Sequence, residues 1–174
     1  MSDSDTVDSF DYFVESLSKQ HDRGAFCCSI EALDRYLKQQ ALQDVRKLVA
    51  APFVLIEKNS GAIAGYYTLC ATSIKINELP TEIVKKLPKY PDVPATLLGR
   101  LAVDQNYRNK GLGEALLMDA LKRCLKNEIA TMAVVVSAKD DRARSFYEHY
   151  DFIRFPDYLY RLFLPMTTIA VMFE

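Results

Sequence analysis

Hydrophobic residues recur at helical spacing in one early stretch, where Ile30, Leu33, Leu37 and Ala41 fall along one stripe. That spacing predicts a helix ending near Lys47, with Ser29 placed to cap its start. Phe53–Glu57 and Ala62–Ile74 are strand-like and flank Asn59-Ser60-Gly61, so they predict a hairpin. Phe10–Leu17 fits a short strand before them. From Glu78 to Pro94 lie four prolines, Pro80, Pro88, Pro91 and Pro94. They leave room for one short helix over Thr81–Leu87 and otherwise imply loop.

The second half alternates. Thr96–Val103 is strand-like, and Gly111–Leu125 carries Leu117, Leu121 and Leu125 at four-residue spacing. Glu114 sits in the first turn of that helix and Lys122, Arg123 and Lys126 in its last, which suits the helix dipole. Met132–Val136 is apolar on both faces, as in a strand covered on both sides. Asp140–Tyr150 predicts another helix. Tyr158–Leu164 and Thr167–Phe173 predict two strands split by Pro165. Helix, hairpin, then strand–helix–strand–helix–strands is a mixed α/β order, with a right-handed crossover expected in the second half.

Composition narrows the class. The 174 residues are 49% hydrophobic and 26% charged, which suits one domain with its own core. Residues 1 to about 9 are expected to be a frayed acidic tail of that domain. No apolar run is long enough to span a membrane, and the polar acidic start is neither a signal nor a transit peptide. Cys27, Cys28, Cys70 and Cys124 show no C-x-x-C spacing, and only His21 and His149 could join them. No metal site is therefore expected, and free thiols point to a reducing cytoplasm.

The net charge of −1 argues against a bulk nucleic-acid binder. It averages an asymmetry. Residues 1–22 hold six acids and one base, a net of −5, so the remaining 152 residues carry 21 bases and 17 acids, a net of +4.

The candidate chemistry centres on Leu101-Ala102-Val103-Asp104-Gln105-Asn106-Tyr107-Arg108-Asn109-Lys110-Gly111-Leu112-Gly113-Glu114. A strand ends, a polar loop follows, and a helix opens at two glycines. Free N–H groups at a helix start attract anions, glycines let a phosphate come close, and Arg108 and Lys110 add full charges. A Walker loop is excluded because Lys110 precedes Gly111. A dinucleotide fingerprint is excluded because Leu116 stands where its third glycine belongs. The pattern Arg108-x-x-Gly111-x-Gly113 resembles the Q/R-x-x-G-x-G/A signature of the GNAT superfamily of N-acetyltransferases. About 32 residues on, Asp140-x-x-Ala143-x-x-Phe146-Tyr147-x-x-x-Asp151-Phe152 resembles that family's N-x-x-A-x-x-F-Y-x-x-x-G-F helix. Asp140 replaces Asn, and Asp151 replaces Gly. Asp tolerates a left-handed helix end better than most residues.

Further segments resemble the GNAT toxins of bacterial toxin–antitoxin pairs. They are His21-Asp22-Arg23, Phe26-x-Cys28, Glu31–Leu37, Gly65–Leu69, Leu87-Pro88-x-Tyr90-Pro91, Leu98–Asp104 and Arg161–Met166. One departure is Ser29, where that group often has Gly. The resemblance implies a mostly antiparallel sheet with one splayed parallel pair, flanked by helices. It implies acetyl transfer from acetyl-CoA to the α-amine of aminoacyl-tRNA, which blocks translation. It also implies a small ribbon-helix-helix antitoxin partner and a homodimer.

By the same resemblance acetyl-CoA meets Leu101, Ala102 and Val103 at the strand end. Arg108, Asn109, Lys110, Gly111, Leu112, Gly113 and Glu114 meet it in the loop, and Asp140 and Phe146 on the second helix. The backbone N–H of Val103, or of its neighbour Leu101, would polarise the thioester carbonyl.

The reaction itself needs an oxyanion donor, a path for the amine proton and an acid for the departing thiolate. The motif assigns the acid to Tyr147; read alone, that residue is equally a packing aromatic beside Phe146. A phenol and a thiol both ionise above neutrality, so the proton transfer is feasible. His149 is expected at the surface and His21 in a local turn. Candidate tRNA contacts are Arg35, Arg46, Lys47, Lys85, Lys86, Lys89 and Arg100. Two other functions fit the residues: a GNAT acting on a small-molecule or protein amine, and a non-catalytic acetyl-CoA-binding module.

Overall fold

The computed structural model describes residues 11–174. The expected tail at residues 1–9 and the start of the first strand at Phe10 lie outside them. The described chain falls into two compact units, residues up to 70 with 99–120, and residues 71–98 with 121–174.

In the first unit β1 (Tyr12–Ser16) pairs antiparallel with β2 (Ala51–Glu57), and β2 pairs antiparallel with β3 (Ile63–Lys75), whose last five residues belong to the second unit. The register puts Val14 opposite Leu55 and Val54 opposite Tyr66. Gly61 closes the β2–β3 hairpin at φ 73°, a left-handed conformation that glycine adopts without penalty. Before β2 comes one continuous helical stretch: α1 (Glu31–Arg35), a π-turn at Tyr36–Gln40, and α2 (Ala41–Lys47). The predicted stripe is correct in its centre, since Leu37 and Ala41 are fully buried. They pack with Phe26, Val54, Ile56, Tyr66 and Ala102 in the core of this unit.

The predicted cap is not where the helix begins. Ile30 occupies the N-cap, with no side-chain cap, and Ser29 instead turns the chain at φ 71°. A left-handed turn is needed one residue earlier than the cap, and Ser29 supplies it at a position better suited to glycine.

The second unit is built on β5 (Ala133–Ser137), whose first four residues are all buried. It pairs parallel with β4 (Asp92–Val103) from Ala95↔Ala133 to Leu98↔Val136. On its other side it pairs antiparallel with β7 (Arg161–Pro165), which pairs with the two-residue β6 (Ile153–Arg154). The described strands are thus mostly antiparallel with one parallel pair. Ile74, Val93, Ala95, Val135, Phe155 and Phe163 form the core of this unit. The proline-rich segment holds one short helix, α3 (Thr81–Val84).

Two expectations fail here for stated reasons. Pro94 lies inside β4 rather than in a loop. It precedes the ladder with β5, and its carbonyl still accepts from the Met132 N–H at 2.8 Å, so the missing proline N–H costs no pairing. Thr167–Phe173 is not a strand. Met166–Met172 forms helix α6, with Pro165 at its N-cap and Ile169 fully buried. The β-branched residues suggest a strand, but Met166, Ile169 and Phe173 share a helical face, and proline is well suited to a helix start.

Helix α4 (Leu112–Lys126) belongs to the first unit up to Ala120 and to the second beyond it. Helix α5 (Asp141–His149) lies in the second.

Candidate active site

Within the first unit, β4 ends at Val103 and delivers the chain into a short 3-10 turn, Gln105–Tyr107. Gly65 explains how closely β3 meets this strand end. A Cβ there would stand 2.8 Å from the Ala102 carbonyl oxygen and 2.8 Å from Leu116 Cδ1. Only glycine fits such a contact with backbone.

Asp104 is the anchor that sequence reasoning missed. The residue is only 4% exposed. One carboxylate oxygen accepts from the Asn106 N–H at 2.8 Å and the other from the Cys27 N–H at 3.0 Å. Its own N–H donates to the Ala64 carbonyl at 2.8 Å. A buried carboxylate is tolerable when backbone donors satisfy it in this way. The detectable signal is local: an Asp at a strand end can bond the N–H two residues on, as Asx turns do. The Cys27 bond, from 77 positions away, has no such signal.

More bonds fix the loop to the segment around Cys28. The Gln105 N–H donates to the Cys27 carbonyl at 2.8 Å, and Ser29 Oγ donates to Gln105 Oε1 at 3.2 Å. Arg108 donates through one Nη to the Cys28 carbonyl at 2.8 Å. Arg108 therefore straps the loop as well as charging it. The Tyr107 hydroxyl donates to Glu57 Oε1 at 3.1 Å, and Lys110 Nζ lies 5.5 Å from the Tyr107 ring centre.

Asn109 (φ 62°) and Gly111 (φ 73°) then turn left-handed, and α4 opens at Leu112. Lys110 and Gly111 are exposed, and nothing lies within 4 Å of where a Gly111 Cβ would be. Leu112 is buried and anchors the helix start, while Gly113 and Glu114 follow in its first turn. An exposed turn of backbone donors with an open space above its glycine fits a phosphate. Leu101 and Val103 are half-buried and Ala102 is buried.

In the second unit, Asp140 caps α5, its carboxylate accepting from the Ala143 N–H at 2.8 Å. Its carboxylate thus serves the helix start. The Tyr160 hydroxyl donates to Asp141 at 2.9 Å. Tyr147 is buried between Phe146 and Phe152, each with its ring centre 5.2 Å away. Its hydroxyl has no hydrogen-bond partner among the described residues, and burial alone pushes its pKa above the ordinary phenol range. Asp151 ends the helix at φ 70°, as expected of Asp in place of Gly, and Phe152 is buried behind it.

The histidines sit as expected. The His21 ring accepts from the Ser18 N–H at Nδ1 (3.0 Å), and its Nε2 bonds Glu15 at 2.6 Å. His149 is exposed. Of the basic residues, Arg35, Arg46 and Lys47 are exposed in the first unit, with Arg35 paired to Glu31. Lys85, Lys86 and Lys89 are exposed in the second. Arg100, in the first, is half-buried.

The chain is similar to known proteins in both sequence and fold. Residues 94–170 match the model of the acetyltransferase (GNAT) domain family. The chain is 35% identical over 138 residues to the tRNA-acetylating toxin of Mycobacterium tuberculosis, covering 78% of this chain and 81% of that one. AtaT complexed with acetyl-methionyl-tRNAfMet superposes with a TM-score of 0.86 at 27% identity, over 94% of this chain and 100% of that one. AtaTR bound with AcCoA gives 0.82 at 26%, over 94% and 99%. The AtaT–AtaR complex bound to DNA gives 0.74 at 25%, over 93% and 99%. The length and level of the match to the mycobacterial toxin, together with the GNAT domain match, show that this chain belongs to the GNAT acetyltransferases, in the family of tRNA-acetylating toxins.

Proposed function

We propose that this chain, as a single acetyltransferase domain, moves an acetyl group from acetyl-CoA to the α-amine of an aminoacyl-tRNA and so stops translation. The observation that carries the reading is the strapped, glycine-turned loop at the head of α4, in a chain of this family. The loop residues fit a pyrophosphate. Gly111 leaves open space, Lys110 is exposed, and Arg108 keeps further N–H donors beyond the one bound to Cys28.

When bound, acetyl-CoA supplies a thioester carbonyl for the amine to attack. The chain's own groups then do three things. Backbone N–H groups from Arg108 to Gly113, with the Lys110 charge, hold the phosphates. The N–H of Val103, or of Leu101, donates to the carbonyl oxygen as negative charge develops there. Tyr147 carries a proton on a hydroxyl without a protein acceptor, and donates it to the sulfur as the C–S bond breaks. The amine loses one proton to solvent as the new C–N bond forms, and the Tyr147 phenolate takes one back from solvent, so the net products are an amide and a free thiol. The α-amine of an aminoacyl ester is less basic than a lysine amine, so a strong general base is not required.

The cytoplasm is the site of action. No helix among the described residues is long and apolar enough to cross a membrane, and the four cysteines are free thiols. The partner is an antitoxin, of the ribbon-helix-helix type, and the toxin acts as a homodimer; the relative solved as AtaT–AtaR with DNA supports an antitoxin.

Incubation with labelled acetyl-CoA and either charged or deacylated tRNA tests the reading. Label is expected on charged tRNA alone. Equal labelling of both, or of neither, would overturn it and favour another amine or a binding role.

A further inference from the structure

Arg100 stands on β4, three residues before its end, and its guanidinium carbon lies 3.5 Å from the centre of the Tyr36 ring. It makes no hydrogen bond or ion pair among the described residues. A half-buried guanidinium lying on an aromatic face keeps all five N–H donors free in its plane.

The surface beneath it is locked. The Tyr36 hydroxyl donates to Asp44 Oδ2 at 2.8 Å, and Gln40 donates to Asp44 Oδ1 at 2.9 Å. Tyr66 lies nearly parallel to Tyr36 with ring centres 6.3 Å apart, and its own hydroxyl donates to the Leu33 carbonyl at 2.6 Å. The π-turn makes this arrangement possible. In an unbroken α-helix, residues eight apart are turned by about 80°. One extra residue in the turn makes Tyr36 and Asp44 equivalent to a seven-step pair, within about 20° of alignment. Both Asp44 oxygens are thus taken by Tyr36 and Gln40, and neither pairs with Arg100.

We propose that Arg100 is a pre-oriented clamp for a phosphodiester in the single-stranded 3′ end of the charged tRNA, with Tyr36, Gln40 and Asp44 as its positioning residues. A planar fork of unpaired donors matches two phosphate oxygens, and the locked ring lowers the ordering cost of gripping them. The inference rests on the acceptor proposed above and names one contact to it.

The test uses the full chain and follows fluorescence anisotropy of labelled deacylated tRNA across salt concentrations, which needs no transfer. Arg100→Ala should weaken binding about tenfold and lower the slope of log affinity against log salt by about 0.7, the contribution of one single-strand phosphate. Arg100→Lys should restore most of the slope but only part of the affinity. Weaker binding by Arg100→Ala with an unchanged slope, or unchanged binding, would overturn the clamp. If Arg100→Ala lowers the melting temperature so far that it does not fold, Arg100→Lys decides alone: wild-type affinity then contradicts a fork-shaped contact. Failure of wild type to label charged tRNA would sink the proposed function and leave this binding result standing by itself.

Discussion

Tyr147 holds a hydroxyl that bonds to no described protein group, so losing it removes no internal hydrogen bond. Tyr147→Phe should therefore melt like wild type and bind acetyl-CoA equally well, while kcat falls about a hundredfold. Thermal melting, isothermal titration and steady-state rates check this together. A kcat unchanged from wild type would remove Tyr147 as the acid. Asp104 is the opposite kind of residue. Asp104→Ala leaves the Cys27 and Asn106 N–H groups without their acceptor, and should cost about 2 kcal/mol in urea unfolding. Of these two residues the sequence motif exposes only the tyrosine. The aspartate's partner at Cys27 is brought to it by the fold, and no local spacing encodes that meeting.

The turn that opens α4 was legible because it needs a left-handed residue and a helix start at adjacent positions, and Gly111 and Leu112 supply them. Gly111→Glu places a carboxylate and a strained φ at that turn. The helix is anchored elsewhere, by Leu112, Leu116 and Leu117, so the chain should stay folded. Acetyl-CoA affinity should fall by about a hundredfold or more, from repulsion and lost approach. Calorimetric titration with a circular-dichroism control reads both quantities. Elements decided by competition were less legible. Met166–Met172 carries β-branched residues and a helical stripe together, and the burial of Ile169 settles it as helix. The π-turn at Tyr36–Gln40 could not be read, since an inserted residue leaves the apolar stripe through Leu37 and Ala41 nearly intact.

At the scale of the molecule, the −1 net charge conceals a body of +4 behind an acidic start of −5. Affinity for tRNA should therefore be modest and salt-sensitive. The proposal of one acetyltransferase domain also has a thermodynamic consequence. β4 and α4 each run through both compact units, so a single cooperative unfolding transition is expected. Two separated transitions in calorimetry would contradict it. The proposed reaction makes one bond, between acetyl and the α-nitrogen of an amino acid esterified to tRNA. The direct measurement is mass spectrometry of the amino acids released from charged tRNA after reaction with wild type and acetyl-CoA. Nα-acetylated amino acid is expected with wild type, and about a hundredfold less in the same time with Tyr147→Phe. Acetyl found on the nucleotides, on a lysine side chain, or nowhere on the released amino acid would contradict it.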